Sequence, residues 1–130
     1  MPAKVLIVDD DPDIQVALTM VLESQGYHVV TAKDGLEGLG RMKMDVPDLM
    51  ILDLMMPRMD DFAVCKEMQK PEWDKYSHIP RLILTTVRED ASRRRYELET
   101  DITLGVDGYM EKPVHPDMLL QAVSRLLKKK

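Results

Sequence analysis

The chain is organised around the segment LMILDLMMP, residues 49–57. This short run is apolar except for one carboxylate, Asp53, and it is bounded by Pro47 and Pro57. An apolar run of this length is typical of a strand that is buried on both faces of a parallel sheet. Open sheets of this kind bind their ligands at the carboxyl ends of the strands. The pattern therefore predicts a buried strand that ends with Asp53 at a ligand crevice.

A second segment of the same kind, VLIVDDD, lies near the N-terminus at residues 5–11. If the two strands are neighbours, their carboxylates crowd one site. Two anions about 4 Å apart repel each other by roughly 4 kcal/mol at an effective dielectric constant near 20. Since no basic residue is close to them in sequence, the pattern implies a bound cation.

Composition limits the class of protein. The 130 residues, 45% of them hydrophobic, fit a single domain spanning residues 1–130. A net charge of −5 argues against direct binding to nucleic acid or to a membrane surface. The only cysteine, Cys65, excludes an internal disulfide. With no signal-peptide pattern, these features predict a cytoplasmic protein, either a stand-alone module or the N-terminal part of a longer regulator.

Strand and helix patterns alternate along the whole chain. Asp11 and Pro12 are suited to begin a helix, and Gly26 is suited to end it. Gly38 and Gly40 lie inside the second helix, where each either costs about 1 kcal/mol against alanine or lets the helix approach the sheet. Five alternations predict an α/β fold with a right-handed, doubly wound sheet and helices on both faces. After the first helix, the predicted elements are a strand at Tyr27–Ala32, a helix at Leu36–Met44, the strand ending at Asp53, a helix at Phe62–Gln69, a loop at Lys70–Ser77, a strand at Leu82–Leu84, a helix at Glu89–Leu104, a strand at Asp107–Met110 and a last helix from Pro116.

Polar residues follow four of the predicted strands, and parallel strands share one carboxyl edge. They are Asp9, Asp10 and Asp11, then Asp53, then Thr85, then Lys112. Carboxylates are ligands for a hard divalent ion such as Mg²⁺. A hydroxyl and an ammonium beside that ion would bind an anion with several oxygens, such as phosphate. The central carboxylate, Asp53, is the candidate nucleophile, because a carboxylate can accept a phosphoryl group as an acyl phosphate.

Four motifs in order resemble the receiver domain of bacterial two-component response regulators, in particular the chemotaxis receivers. They are VDD at residues 8–10, DLMMP at 53–57, LT at 84–85 and GYMEKP at 108–113. The resemblance covers nearly the whole chain. It implies a flavodoxin-like sheet of five parallel strands in the order 2-1-3-4-5.

The resemblance also implies a phosphoacceptor and a metal site. Asp53 would take a phosphoryl group from a sensor histidine kinase or a His-containing phosphotransfer protein. Asp10, Asp53 and the backbone carbonyl of Met55 would bind Mg²⁺, with Mn²⁺ as a possible substitute, and Asp9 would orient a metal-bound water. The protein would then be a phosphorylation switch in signal transduction, and not an enzyme beyond its own phosphorylation and dephosphorylation.

Three further residues would transmit the signal. By resemblance, Thr85 and Lys112 would hold the phosphoryl oxygens, and Tyr109 would be the switch aromatic. The output surface would be the face around the fourth helix, the fifth strand and the fifth helix, and the sequence does not name its output partner.

Three residues beside the site depart from the family pattern and are expected to modulate access to it. Thr86 stands where a small residue is usual, so it should narrow access to Asp53. Met55 and Val87 are apolar where polar side chains can place a hydrolytic water. Together they predict a long-lived acyl phosphate.

Two other interpretations of the acidic run remain open at this point. Asp11 can be a helix cap and not a ligand. The chain can also be a small phosphohydrolase, with Asp9 as the nucleophile and Asp11 as the acid/base, although such an enzyme needs a second acidic pair late in the chain, where Asp107 stands alone.

Overall fold

The structure, a computed structural model, describes residues 3–53, 61–76, 78–85, 108–111 and 114–128. Its centre is a sheet of five parallel strands in the order β2-β1-β3-β4-β5, as predicted. The strands are β1 (Lys4–Val8), β2 (His28–Ala32), β3 (Leu49–Asp53), β4 (Arg81–Thr85) and β5 (Gly108–Glu111).

In the described residues, helices lie between the first four strands and after the fifth. They are α1 (Pro12–Glu23), α2 (Gly35–Asp45), α3 (Asp61–Met68), a 3-10 helix (Pro71–Tyr76) and a C-terminal helix (Pro116–Lys128). The helix predicted at Glu89–Leu104 lies outside the described residues. None of the helices in the described ranges is long and apolar enough to span a bilayer.

The sheet separates two apolar cores, because successive residues of a strand point to opposite faces. In β1, Leu6 and Val8 belong to the core covered by α2, α3 and the 3-10 helix. Val5 and Ile7 belong to the other core, which α1 and the C-terminal helix cover. All five residues of β3 are buried, as its apolar sequence predicted. The arrangement with helices on both faces is confirmed.

The boundaries of α1 follow from its capping residues. Asp11 is the N-cap, and its Oδ1 accepts a hydrogen bond of 2.9 Å from the Asp13 N–H. At the other end, Gly26 has φ of +85°, a conformation that glycine adopts without steric cost. The Tyr27 N–H donates to the Leu22 carbonyl at 3.2 Å, which closes a Schellman turn at the predicted glycine.

Gly38 and Gly40 both lie in the interior of α2, but only one of them lies against the sheet. A Cβ atom at Gly38 would lie 2.9 Å from a methyl carbon of Val8, the last residue of β1. A Cβ atom at Gly40 would meet nothing within 4 Å. The close approach of the helix to the sheet therefore depends on Gly38 alone of this pair.

The loop predicted at Lys70–Ser77 is wrong, because Pro71–Tyr76 is a 3-10 helix. Trp73 and Tyr76 are buried in the core beneath α2 and α3, with ring centroids 5.4 Å apart. Residues three apart lie on the same side of a 3-10 helix, so both rings face the core while the charged residues between them face solvent. The burial of the two rings fixes this segment.

Candidate functional site

The parallel register brings the two acidic strand ends together. Val8 of β1 pairs with Leu52 of β3, so Asp9 and Asp53 occupy the next positions along neighbouring strands. On the other side of β3, Asp53 pairs with Leu84 of β4. Asp53 therefore lies at the carboxyl end of the central strand, as predicted from the apolar run.

Three carboxylates form one cluster at this edge. Asp9, Asp10 and Asp53 each offer an oxygen, and the three oxygens lie within 4.8 Å of one another. Asp9 is 1% exposed and Asp53 is 3% exposed, whereas Asp10 is exposed to solvent. At that separation, two carboxylates repel each other by roughly 3–4 kcal/mol at an effective dielectric constant near 20. The cluster therefore fits a hard divalent cation that binds oxygen ligands and keeps water on its open side.

Hydrogen bonds hold Asp9 at three points. Its N–H donates to the Ala32 carbonyl of β2 at 3.0 Å, which extends the β1–β2 ladder by one residue. Its Oδ1 accepts from the Asp11 N–H at 2.9 Å. Its carbonyl accepts from Gln15 Nε2 at 2.6 Å. The sequence analysis missed Gln15, whose only signal was a polar side chain one turn after the N-cap of α1.

Asp11 has a structural role. Its carboxylate caps α1 through the Asp13 N–H, and its carbonyl accepts the Gln15 backbone N–H at 3.1 Å. The capping interpretation is therefore confirmed. An acid/base role for Asp11, which the phosphohydrolase interpretation requires, would compete with this cap.

The other predicted site residues are described only in part or not at all. Thr85 ends β4 and pairs with Glu111, and Tyr109 of β5 pairs with Ile83. Met55, Thr86, Val87 and Lys112 lie outside the described residues. Their roles, and the slow loss of phosphate that three of them suggest, stay predictions.

The fold and the acidic cluster together define a doubly wound α/β protein of the chemotaxis-receiver type. Residues 5–124 match the family model described as the response regulator receiver domain. The chain belongs to this family, and it is therefore a receiver domain of two-component signalling.

Named relatives agree with this assignment. The chain is 35% identical over 129 residues to the alkaline phosphatase synthesis transcriptional regulatory protein PhoP of Bacillus subtilis, covering 99% of this chain and 50% of PhoP. It is 36% identical over 129 residues to the response regulator MprA of Mycolicibacterium vanbaalenii, covering 99% of this chain and 52% of MprA. The chain thus spans about half the length of these curated relatives.

A solved structure with the same fold is the chemotaxis response regulator CheY4 of Vibrio cholerae. It superposes with a TM-score of 0.81 at 32% sequence identity, covering 97% of this chain and 99% of CheY4. The likeness extends over nearly the whole of both chains, so it includes the sheet edge that carries the acidic cluster.

Proposed function

We propose that this chain, as a single receiver domain over residues 1–130, accepts a phosphoryl group on Asp53. The donor would be a sensor histidine kinase or a His-containing phosphotransfer protein. The observation that carries the proposal is the position of Asp53, buried at the end of the central strand with the carboxylate oxygens of Asp9 and Asp10 within 4.8 Å. Asp53 lies between the acidic residues that follow β1 on one side and the end of β4 on the other.

The transfer needs one nucleophile and neutralised charge. An Asp53 oxygen forms a bond to phosphorus while the bond from phosphorus to the donor imidazole nitrogen breaks, and that nitrogen keeps the electron pair. Asp10, Asp53 and the Met55 carbonyl would hold Mg²⁺ or Mn²⁺, with Asp9 acting through a water. When bound, the ion offsets the negative charge of the carboxylates and of the phosphoryl oxygens.

The acyl phosphate would be sensed by groups on β4 and at the end of β5. Thr85 and Lys112 would each make a charge-assisted hydrogen bond to it, at roughly 1.5–3 kcal/mol per bond. Together the two bonds supply about 3–6 kcal/mol, and about 5.5 kcal/mol moves a two-state equilibrium from 1:99 to 99:1. Tyr109 and the face of β5 and the helices beside it would carry this change to an output protein or domain.

The first prediction concerns the phosphoacceptor. With acetyl phosphate and Mg²⁺, we expect the parent chain to gain one phosphoryl group per molecule, measured by intact mass. The Asp53→Asn variant should gain none, because an amide is a poor nucleophile.

The matched control is Asp11→Asn, which removes an acidic side chain near the site but keeps a residue that caps helices equally well. It should label like the parent. Labelling of Asp53→Asn at the parental level would overturn the proposal. Multiple turnover of acetyl phosphate that depends on Asp9 and Asp11 would instead identify a phosphohydrolase.

A further inference from the structure

Gln15 joins the ends of two strands beside the acidic cluster. From the first turns of α1, its side-chain Nε2 donates to the Asp9 carbonyl at 2.6 Å and to the Ala32 carbonyl at 2.8 Å. A primary amide has two N–H donors, and these two bonds use both of them. The side chain is half-buried, so the bonds are partly shielded from competing water.

These bonds restrain the peptide that connects Asp9 and Asp10, the two acidic residues that directly follow β1. The Asp9 N–H is already bonded to the Ala32 carbonyl at 3.0 Å. Because a peptide unit is planar, fixing the Asp9 carbonyl also fixes the direction in which the Asp10 nitrogen leaves it. Asp10 is exposed, so the location of its carboxylate depends on the backbone that carries it.

We propose that Gln15 is a positioning residue of the cation site. It ties the end of β1 to the end of β2 and so fixes the carboxylates of Asp9 and Asp10 before a cation binds. This inference rests on the proposed function, in which those carboxylates serve the metal. Partners that orient metal ligands without touching the metal are typically worth 10–100-fold in metal affinity.

The test compares metal affinity in variants that lose the two bonds. Gln15→Met keeps an unbranched side chain of similar length but has no donor. Gln15→Asn keeps the amide on a shorter stem that cannot span both carbonyls. The control is Thr19→Met, one turn further along α1 and also half-buried. The Kd for Mn²⁺ is measured from the electron paramagnetic resonance signal of the free ion, and the Kd for Mg²⁺ by competition.

We expect both Gln15 variants to raise the Kd for either ion by about tenfold and Thr19→Met to leave it within about twofold of the parent. Thermal unfolding without metal is measured on every variant. A lower Tm with an unchanged Kd of the folded protein would show a merely structural role and overturn the inference, while leaving Asp53 chemistry intact. If the parent itself binds neither ion, or if Asp10→Asn binds as tightly as the parent, the proposed function fails instead.

Discussion

The absence of a side chain at Gly38 lets α2 pack closely on β1, the strand that ends just before Asp9. Gly38 faces Val8, which is 1% exposed and immediately precedes the acidic run. Val8 is stiff at χ1 because it is β-branched, so it cannot easily move away from an added methyl group. The steric limit at Gly38 thus acts directly on the end of β1.

Substitution of Gly38 and of Gly40 should change stability in opposite directions. Overpacking against Val8 at 2.9 Å should outweigh the gain in helix propensity, so we expect Gly38→Ala to lose about 1 kcal/mol net. Gly40→Ala adds a methyl group where there is open space, and it should gain about 1 kcal/mol. Urea unfolding measures both changes in the free energy of unfolding, compared at the same slope of free energy against urea concentration. Equal stabilisation by the two substitutions would contradict the close contact.

At the same scale, the sequence was sufficient to predict that Asp9, Asp10 and Asp53 lie together, but it did not indicate the contacts of Gln15. The three acids stand at the ends of short apolar runs that are typical of buried strands, and parallel strands place their ends together. The role of Gln15 depends on contacts between a helix side chain and the carbonyls of two strands. Neither hydrophobic periodicity nor composition encodes such a contact.

At the scale of elements, the 3-10 helix shows why polar composition can mislead. The segment begins with Pro71 and is rich in charge, so it was predicted as a loop, yet its two aromatic residues are 4% and 5% exposed. Glu67 of α3 contacts both Trp73 in the 3-10 helix and Lys70 just before it. Its Oε2 accepts from Trp73 Nε1 at 3.1 Å, and its Oε1 lies 2.9 Å from Lys70 Nζ.

Because Glu67 makes these contacts as a carboxylate, the stability of the packing between α3 and the 3-10 helix should depend on pH. The hydrogen bonds from Lys70 and then Trp73 lower the pKa of Glu67 below its ordinary value of 4.5. A depressed folded-state pKa means that the stabilisation is complete above the unfolded value and is lost as the pH falls through the folded value. We therefore expect Glu67→Gln to lower Tm at pH 7 and to match the parent at a pH below the folded-state pKa.

The control for this pair of measurements is Glu23→Gln, an exposed glutamate at the end of α1. It should leave Tm nearly unchanged at both pH values. A constant difference between Glu67→Gln and the parent across the acidic range would contradict an ionised acceptor. The same contact raises the pKa of Lys70 through its hydrogen bond to Glu67, so its contribution is lost only as the pH rises through that raised value.

At the scale of the whole molecule, helices on both faces of the sheet could be predicted because short apolar runs alternate with helical patterns, whereas the strand order followed from the resemblance to receiver domains. The central strands supply Leu6, Met50 and Leu52 to one core and Val5, Leu49 and Ile51 to the other. The helix predicted at Glu89–Leu104 has a highly charged sequence of uncertain phase, and it lies outside the described residues.

The cation should stabilise the entire fold, since a ligand that binds only the native state shifts the unfolding equilibrium. At a Mg²⁺ concentration 100 times the Kd, the expected increase in the free energy of unfolding is about 2.7 kcal/mol. Urea unfolding with Mg²⁺ and with a chelator measures it. Asp10→Asn should lose most of this increase, whereas Asp13→Asn, exposed in the first turn of α1, should keep it. An equal increase in both variants would argue against the acidic cluster as the binding site.

The burial of Trp73 has a practical consequence for spectroscopy. It is the only tryptophan of the chain, and it packs in the core opposite to the C-terminal helix, with the ammonium of Lys43 4.7 Å from its ring centroid. Because the proposed output face lies around β5 and the C-terminal helix, we expect the emission of Trp73 to report unfolding of the core around it and to change little when a phosphodonor is added. An optical readout of activation needs a fluorophore introduced on the other side.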